Sequence, residues 1–86
     1  MPESLIRRIL NKIKWDSQDL EDHEIVFLHR GAPNDLRMYP GEKVKEIERS
    51  YILFIDENEE DGEVVIPFHR IRKIYNKKTN QCVWEK

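Results

Sequence analysis

Tyr51-Ile52-Leu53-Phe54-Ile55, then Asp56-Glu57-Asn58-Glu59-Glu60-Asp61-Gly62, then Glu63-Val64-Val65-Ile66-Pro67 is the stretch that decides the fold. Two runs rich in β-branched and aromatic residues flank a polar loop that ends in glycine, the pattern of an antiparallel hairpin. Gly62 supplies the permissive dihedral that such a connection needs. Pro67 has no amide proton to offer a ladder, so the second strand bends or ends there.

Downstream, Ile71-Arg72-Lys73-Ile74-Tyr75 and Gln81-Cys82-Val83-Trp84 flank the polar turn Asn76-Lys77-Lys78-Thr79-Asn80 and form a second hairpin. Upstream, Ile25-Val26-Phe27-Leu28-His29-Arg30 is a strand closed by the loop Gly31-Ala32-Pro33-Asn34-Asp35. Both of its faces are apolar until its end, which predicts a central, buried strand with His29 and Arg30 at its mouth. Residues 36–39 are a short segment before a Pro40-Gly41 turn. Val44 and Ile47 are three apart, so residues 43–49 fit either one helical turn or a short strand. Asp16, Asp19, Glu21, Asp22 and Glu24 mark a connector with room for one helical turn.

At the start of the chain, Leu5, Ile6, Ile9, Leu10 and Ile13 make one apolar stripe at helical spacing. Pro2, Glu3 or Ser4 suits the first turn, and Arg7, Arg8, Asn11 and Lys12 fall on the solvated face. The sum is an α+β fold: an N-terminal amphipathic helix packed on about five mostly antiparallel strands. Residues 1–86 are expected to form a single domain.

Composition narrows the function. Apolar residues make up 38% of the 86 and charged residues 37%, with a formal net charge of −2. There is no global positive field to draw in nucleic acid, so any anion site must be local. No apolar run approaches the ~18 residues of a membrane helix, and nothing at the N-terminus resembles a signal peptide, so a cytoplasmic protein is expected. The single cysteine, Cys82, excludes an internal disulfide and a multi-cysteine metal site. Two residues before Trp84, it reads as a small buried hydrophobe. No cofactor fingerprint is present, and His23, His29 and His69 lack a metal-ligand spacing.

Two dipeptides carry the chemistry. His29-Arg30 precedes Gly31, and His69-Arg70 lies between Pro67-Phe68 and Ile71. Each sits where a strand meets an irregular segment. An imidazole beside a guanidinium suits an anion, because Arg binds phosphate through two parallel hydrogen bonds and His changes charge near physiological pH. Gly31 allows a positive φ or a close backbone approach to a ligand. Arg70, Arg72, Lys73, Lys77 and Lys78 form a basic segment interleaved with Phe68 and Tyr75, which can stack on bases. Phosphoesterases with two His-x-Ser/Thr motifs need a hydroxyl two residues after each histidine; here those positions are Gly31 and Ile71. That favours binding over cleavage.

Taken in order, Leu10-Asn11-Lys12-Ile13-Lys14-Trp15-Asp16, the strand from Ile25 through His29-Arg30-Gly31-Ala32-Pro33, Arg49-Ser50-Tyr51, Ile66-Pro67-Phe68-His69-Arg70-Ile71 and Asn76-Lys77-Lys78-Thr79 resemble a known family. It is a small, largely archaeal protein family that also occurs as a domain in larger eukaryotic proteins and is proposed to recognise RNA ends bearing a cyclic phosphate. The resemblance implies an archaeal, cytoplasmic protein whose site residues are His29, Arg30, Gly31, Ser50, His69 and Arg70. Asn80 departs from the glycine often found in the last turn, and the acidic 56–62 loop is a second departure that would repel nucleic acid close to it.

The leading expectation is therefore a non-catalytic RNA-binding module. His29, Arg30, His69 and Arg70 would hold a phosphorylated or 2′,3′-cyclic-phosphate end, Arg72, Lys73, Lys77 and Lys78 the backbone, and Tyr75 or Phe68 a base. The alternatives are a module for a protein partner, with structural His-Arg sites, and an RNA-end phosphodiesterase using the histidines as acid and base.

Overall fold

The computed structural model describes residues 5–86. Pro2, Glu3 and Ser4, assigned above to the helix start, lie outside them. Within the described residues, helix α1 (Leu5–Asn11) runs into a wider helical stretch, Lys12–Ser17, and stops at Gln18, whose φ is +54°. The strands are β1 (His23–Leu28), β2 (Leu36–Pro40), β3 (Val44–Ile47), β4 (Tyr51–Ile55), β5 (Glu63–Pro67), β6 (Ile71–Asn76) and β7 (Gln81–Glu85). They form two antiparallel sheets, ordered β2-β1-β6-β7 and β3-β4-β5. The α+β class holds, and the strand count rises from about five to seven because the short 36–39 segment and the ambiguous 43–49 stretch both supply strands.

The chain crosses between sheets twice, each time at a proline followed by a short 3-10 turn. Pro40 precedes Gly41–Lys43 on the way from β2 to β3, and Pro67 precedes Phe68–Arg70 on the way from β5 to β6. Proline cannot donate to a ladder, so each strand ends there and the chain is free to change sheets. At the first crossing only glycine fits: a Cβ on Gly41 would lie 1.8 Å from the Leu20 carbonyl oxygen. At the second, the Phe68 amide donates to the Ser50 carbonyl at 2.9 Å, pinning the turn to the start of β4.

The core lies between the sheets. Ile25 and Phe27 of β1, Ile52 and Phe54 of β4, and Ile71 and Ile74 of β6 are fully buried, and Ile6, Leu10 and Ile13 of the helical segment close it. Leu5, at the rim of the predicted stripe, is exposed. Phe27, Tyr39 and Phe54 stack across the gap at centroid distances of 4.8 to 6.3 Å. Each fully buried ring contributes about 1.5–3 kcal/mol of hydrophobic stabilisation.

Two bulges adjust what faces where. Ile71 and Ile74 are three apart yet both point inward, because Arg72 is the extra residue between the pairs Phe27↔Ile71 and Val26↔Lys73. A second irregularity pairs Ile74 with Trp84 but Tyr75 with Cys82. Cys82 therefore leaves the face that Trp84 occupies and is exposed, which corrects its reading as a buried hydrophobe.

Candidate nucleic-acid interface

β1 and β6 are antiparallel, with Phe27 opposite Ile71 at the end of the ladder. Extending each chain past that pair carries β1 into Leu28-His29-Arg30 while β6 leads back into Arg70-His69. The register alone thus brings the two His-Arg dipeptides to one end of the four-stranded sheet. They line a single open cleft of about 760 Å³ together with Leu28, Asp35 and Arg72.

Local structure fixes both walls. On the β1 side, the His29 amide donates to the Asp35 carbonyl at 2.8 Å, and the Ala32 amide donates to the His29 carbonyl at 3.2 Å. Gly31 takes φ +92° inside this tight loop with nothing near the position of a Cβ, so its glycine serves the dihedral and not a close approach. On the β6 side, the 3-10 turn buries Phe68 and leaves His69 and Arg70 exposed. The bulge at Arg72 turns its side chain back, and its Nη1 donates to the His69 carbonyl at 3.4 Å.

The charge balance favours an anion. The lining sets three guanidiniums, Arg30, Arg70 and Arg72, against one carboxylate, Asp35. Asp35 Oδ1 is engaged by the Gly31 amide at 3.4 Å. Among the described residues, the Arg30 and Arg70 side chains have no ion pair or hydrogen bond, so their donors face solvent and are free to take a ligand. The His29 ring stands edge-on to Phe27 at 6.5 Å, which sets its orientation at the cleft rim. A shallower cleft of about 450 Å³ shares His29 and Arg30 and extends along Gly31, Ala32, Pro33, Leu36 and Arg37.

Other sequence-selected residues fall elsewhere. Ser50 stands outside the lining and reaches this end of the molecule through its carbonyl, which holds the Phe68 turn. Lys73 stands over the Tyr75 ring, 5.2 Å from its centroid, farther along β6. Lys77 and Lys78 occupy the β6–β7 turn at the opposite end of the strand. The six residues of β6 span roughly 20 Å, so the predicted basic segment divides into a cluster at the cleft and a distant pair. Asn80 adopts φ +62°, the conformation glycine would supply, so that departure leaves the turn intact. His23 is buried and its Nδ1 donates to the Asp19 carbonyl at 2.9 Å. No metal-binding group of His, Cys, Asp and Glu occurs among the described residues.

The sequence reading missed a second charged cluster, built on Arg37 and Asp56. Asp56, at the root of the acidic loop, is buried and accepts from Tyr39 Oη at 2.5 Å, Arg37 Nη2 at 3.2 Å and the Asn58 amide at 2.9 Å. These bonds, that from Tyr39 foremost, hold the Asp56 carboxyl below the usual carboxylate range. Burial, then the bond to Asp56, pushes the Tyr39 hydroxyl up to about 12. The Asp-Glu-Asn run at a strand end was the available signal, since an aspartate there commonly caps its own turn.

A two-sheet α+β protein with a cationic cleft at one sheet end is the class these observations define. The chain belongs to the MJ1316 RNA cyclic group end recognition domain family, whose model matches residues 4–86. It is 35% identical over 83 residues to a UPF0248 protein of Methanococcus maripaludis, covering 95% of this chain and 99% of that protein. A UPF0248 protein of Methanocaldococcus jannaschii is 36% identical, with 95% and 94% covered, and one of Thermococcus onnurineus 33% identical, with 99% and 88% covered. The resemblance drawn from the sequence blocks is thereby borne out. No solved structure matches the chain. No described helix is long and apolar enough to cross a membrane.

Proposed function

We propose that this protein binds, without cleaving, an RNA end bearing a phosphate or a 2′,3′-cyclic phosphate, and that the cleft between β1 and β6 is the binding site. One observation carries the reading: His29, Arg30, His69, Arg70 and Arg72 line one cleft, and Arg30 and Arg70 are left without protein partners among the described residues. Unpaired guanidiniums converging on one concavity suit a compact anion that accepts several hydrogen bonds. The family description supplies the ligand class, an RNA end with a cyclic group. Binding without turnover fits the two motifs, because neither histidine is followed at the second position by a hydroxyl. The histidines act here as donors to phosphate oxygens, and Gly31 supplies the positive φ with which the chain turns back after Arg30.

The test is a titration with one short RNA made with three 3′ ends: cyclic phosphate, phosphate and hydroxyl. Tighter binding of the cyclic or phosphorylated ends is expected, with a log–log salt slope of roughly −2 if about three phosphate charges are neutralised. Equal affinity for all three ends would overturn the reading. Release of a ring-opened product on incubation would overturn its non-catalytic part.

A further inference from the structure

We infer that the outer face of the four-stranded sheet is the track along which the single strand approaches the cleft, carrying the nucleotides that precede the RNA end. This rests on the end-binding reading of the cleft. Its basis is the alternation in β1, where His23, Ile25 and Phe27 turn inward to the core while Glu24, Val26 and Leu28 turn outward. The ladder with β2 sets Val26 opposite Met38 and Leu28 opposite Leu36, so these four side chains form one apolar block on the outer face. Leu36 and Met38 are 39% and 48% exposed. On the other flank, Lys73 pairs with Val26 and Tyr75 with Glu24, which puts a cation and an aromatic ring on that same face.

Continuity with the cleft names the occupant. Leu28 lines the main cleft and Leu36 the shallower one, so the apolar block begins where the cationic cleft ends. A strand whose last phosphate sits among Arg30, Arg70 and Arg72 can lay its preceding bases on Leu28, Leu36 and Met38. Lys73 then meets the backbone from the β6 side. Apolar and aromatic side chains accept any base, because every base has a π-face, so this track adds affinity without sequence preference. Glu24 closes the far end with a negative charge, which keeps the track short. The acidic 56–62 loop reaches β2 from its other side, where Asp56 and Glu59 meet Arg37, while Leu36 and Met38 alternate to the outer face.

Binding of a short fluorescent RNA to the wild type and to the Leu36→Ser, Met38→Ser double variant, each with cyclic-phosphate and hydroxyl ends, tests the inference. Both positions are exposed, so the variant should fold, and circular dichroism is the check. The expected result is a loss of about tenfold in affinity for both ends, from removing the surface under one base, with the ratio between the ends unchanged. Met38→Glu, which adds a repelling charge, should lose at least as much. Unchanged affinity in a wild-type background that still discriminates between ends would overturn the track, leave the cleft reading intact and point to a protein partner for this face. Loss of discrimination in the variant would also overturn it, by showing that these side chains act on the cleft itself. If the wild type does not discriminate, the cleft reading fails first and the track with it.

Discussion

Two regions of this small protein gather arginines and carboxylates, and they treat them in opposite ways. Around Asp56 every group is matched: one buried carboxylate receives a tyrosine hydroxyl, a guanidinium and a backbone amide, and Arg37 also stacks 4.9 Å above the Tyr39 ring. At the cleft, three guanidiniums face a single carboxylate, and two of them meet no protein acceptor among the described residues. The chain carries 17 acids, ample to neutralise its 15 Lys and Arg. Topology keeps them apart: the acidic loop is drawn to Arg37, with Glu59 at 4.0 Å, and Lys45 is paired with Glu63 at 3.4 Å. A matched buried network holds the fold together, whereas an unmatched exposed cluster is available to a ligand.

If the two regions have these separate duties, variants should separate them. The largest effect is expected from Arg30→Ala combined with Arg70→Ala, which removes two charge-assisted contacts. RNA-end affinity should fall on the order of a hundredfold, roughly 3 kcal/mol, with thermal stability unchanged. Next comes Tyr39→Phe, expected to cost about 1–2 kcal/mol of stability by chemical denaturation while RNA binding stays as it was. If Tyr39→Phe weakened RNA binding as much as the arginine pair, the division between the regions would be wrong.

The same network sets a pH signature. Asp56 has a folded value below its ordinary 3.8, so its contribution to stability is present above about pH 4 and is lost as the pH falls through the lower folded value. Tyr39 is raised from 10.0 to about 12, so the unfolded chain loses this proton first, and stability is lost between pH 10 and about 12. Alkaline melts should show that loss in the wild type and a smaller one in Tyr39→Phe. The smallest effect belongs to Lys77→Ala with Lys78→Ala. A full strand from the cleft and beyond a Debye length, the pair should change end affinity by less than about twofold, measured at moderate salt.

Much of this was legible in the sequence, and the losses have local causes. The hairpins β4–β5 and β6–β7 and the central β1 announced themselves through unbroken apolar runs bounded by turn residues. β2 and β3 did not. β2 holds Arg37 and ends in Pro40, while β3 has four residues, the middle two exposed, so neither presents a period long enough to distinguish strand from turn. The His-Arg dipeptides were visible as chemistry, but their meeting depends on the β1–β6 register, a long-range pairing that no local pattern encodes. Bulges caused the remaining errors. The irregularity in β7 separates Cys82 from the face of Trp84, and only a bulge lets Arg72 aim at the cleft while Ile71 and Ile74 both face the core. Lys77 and Lys78 were near Arg70 in sequence only, because an extended strand carries neighbours apart quickly.

The central claim is that the two His-Arg dipeptides form one pocket for an RNA end. Fluorescence anisotropy with cyclic-phosphate and hydroxyl-ended RNA, read for wild type, His29→Ala, His69→Ala and the double variant, tests it most directly. A shared pocket predicts that each single change reduces the preference for the cyclic end and that the two effects are coupled, so that the double variant loses less than their sum. A preference that survives the double change, or two losses that simply add, would contradict the account.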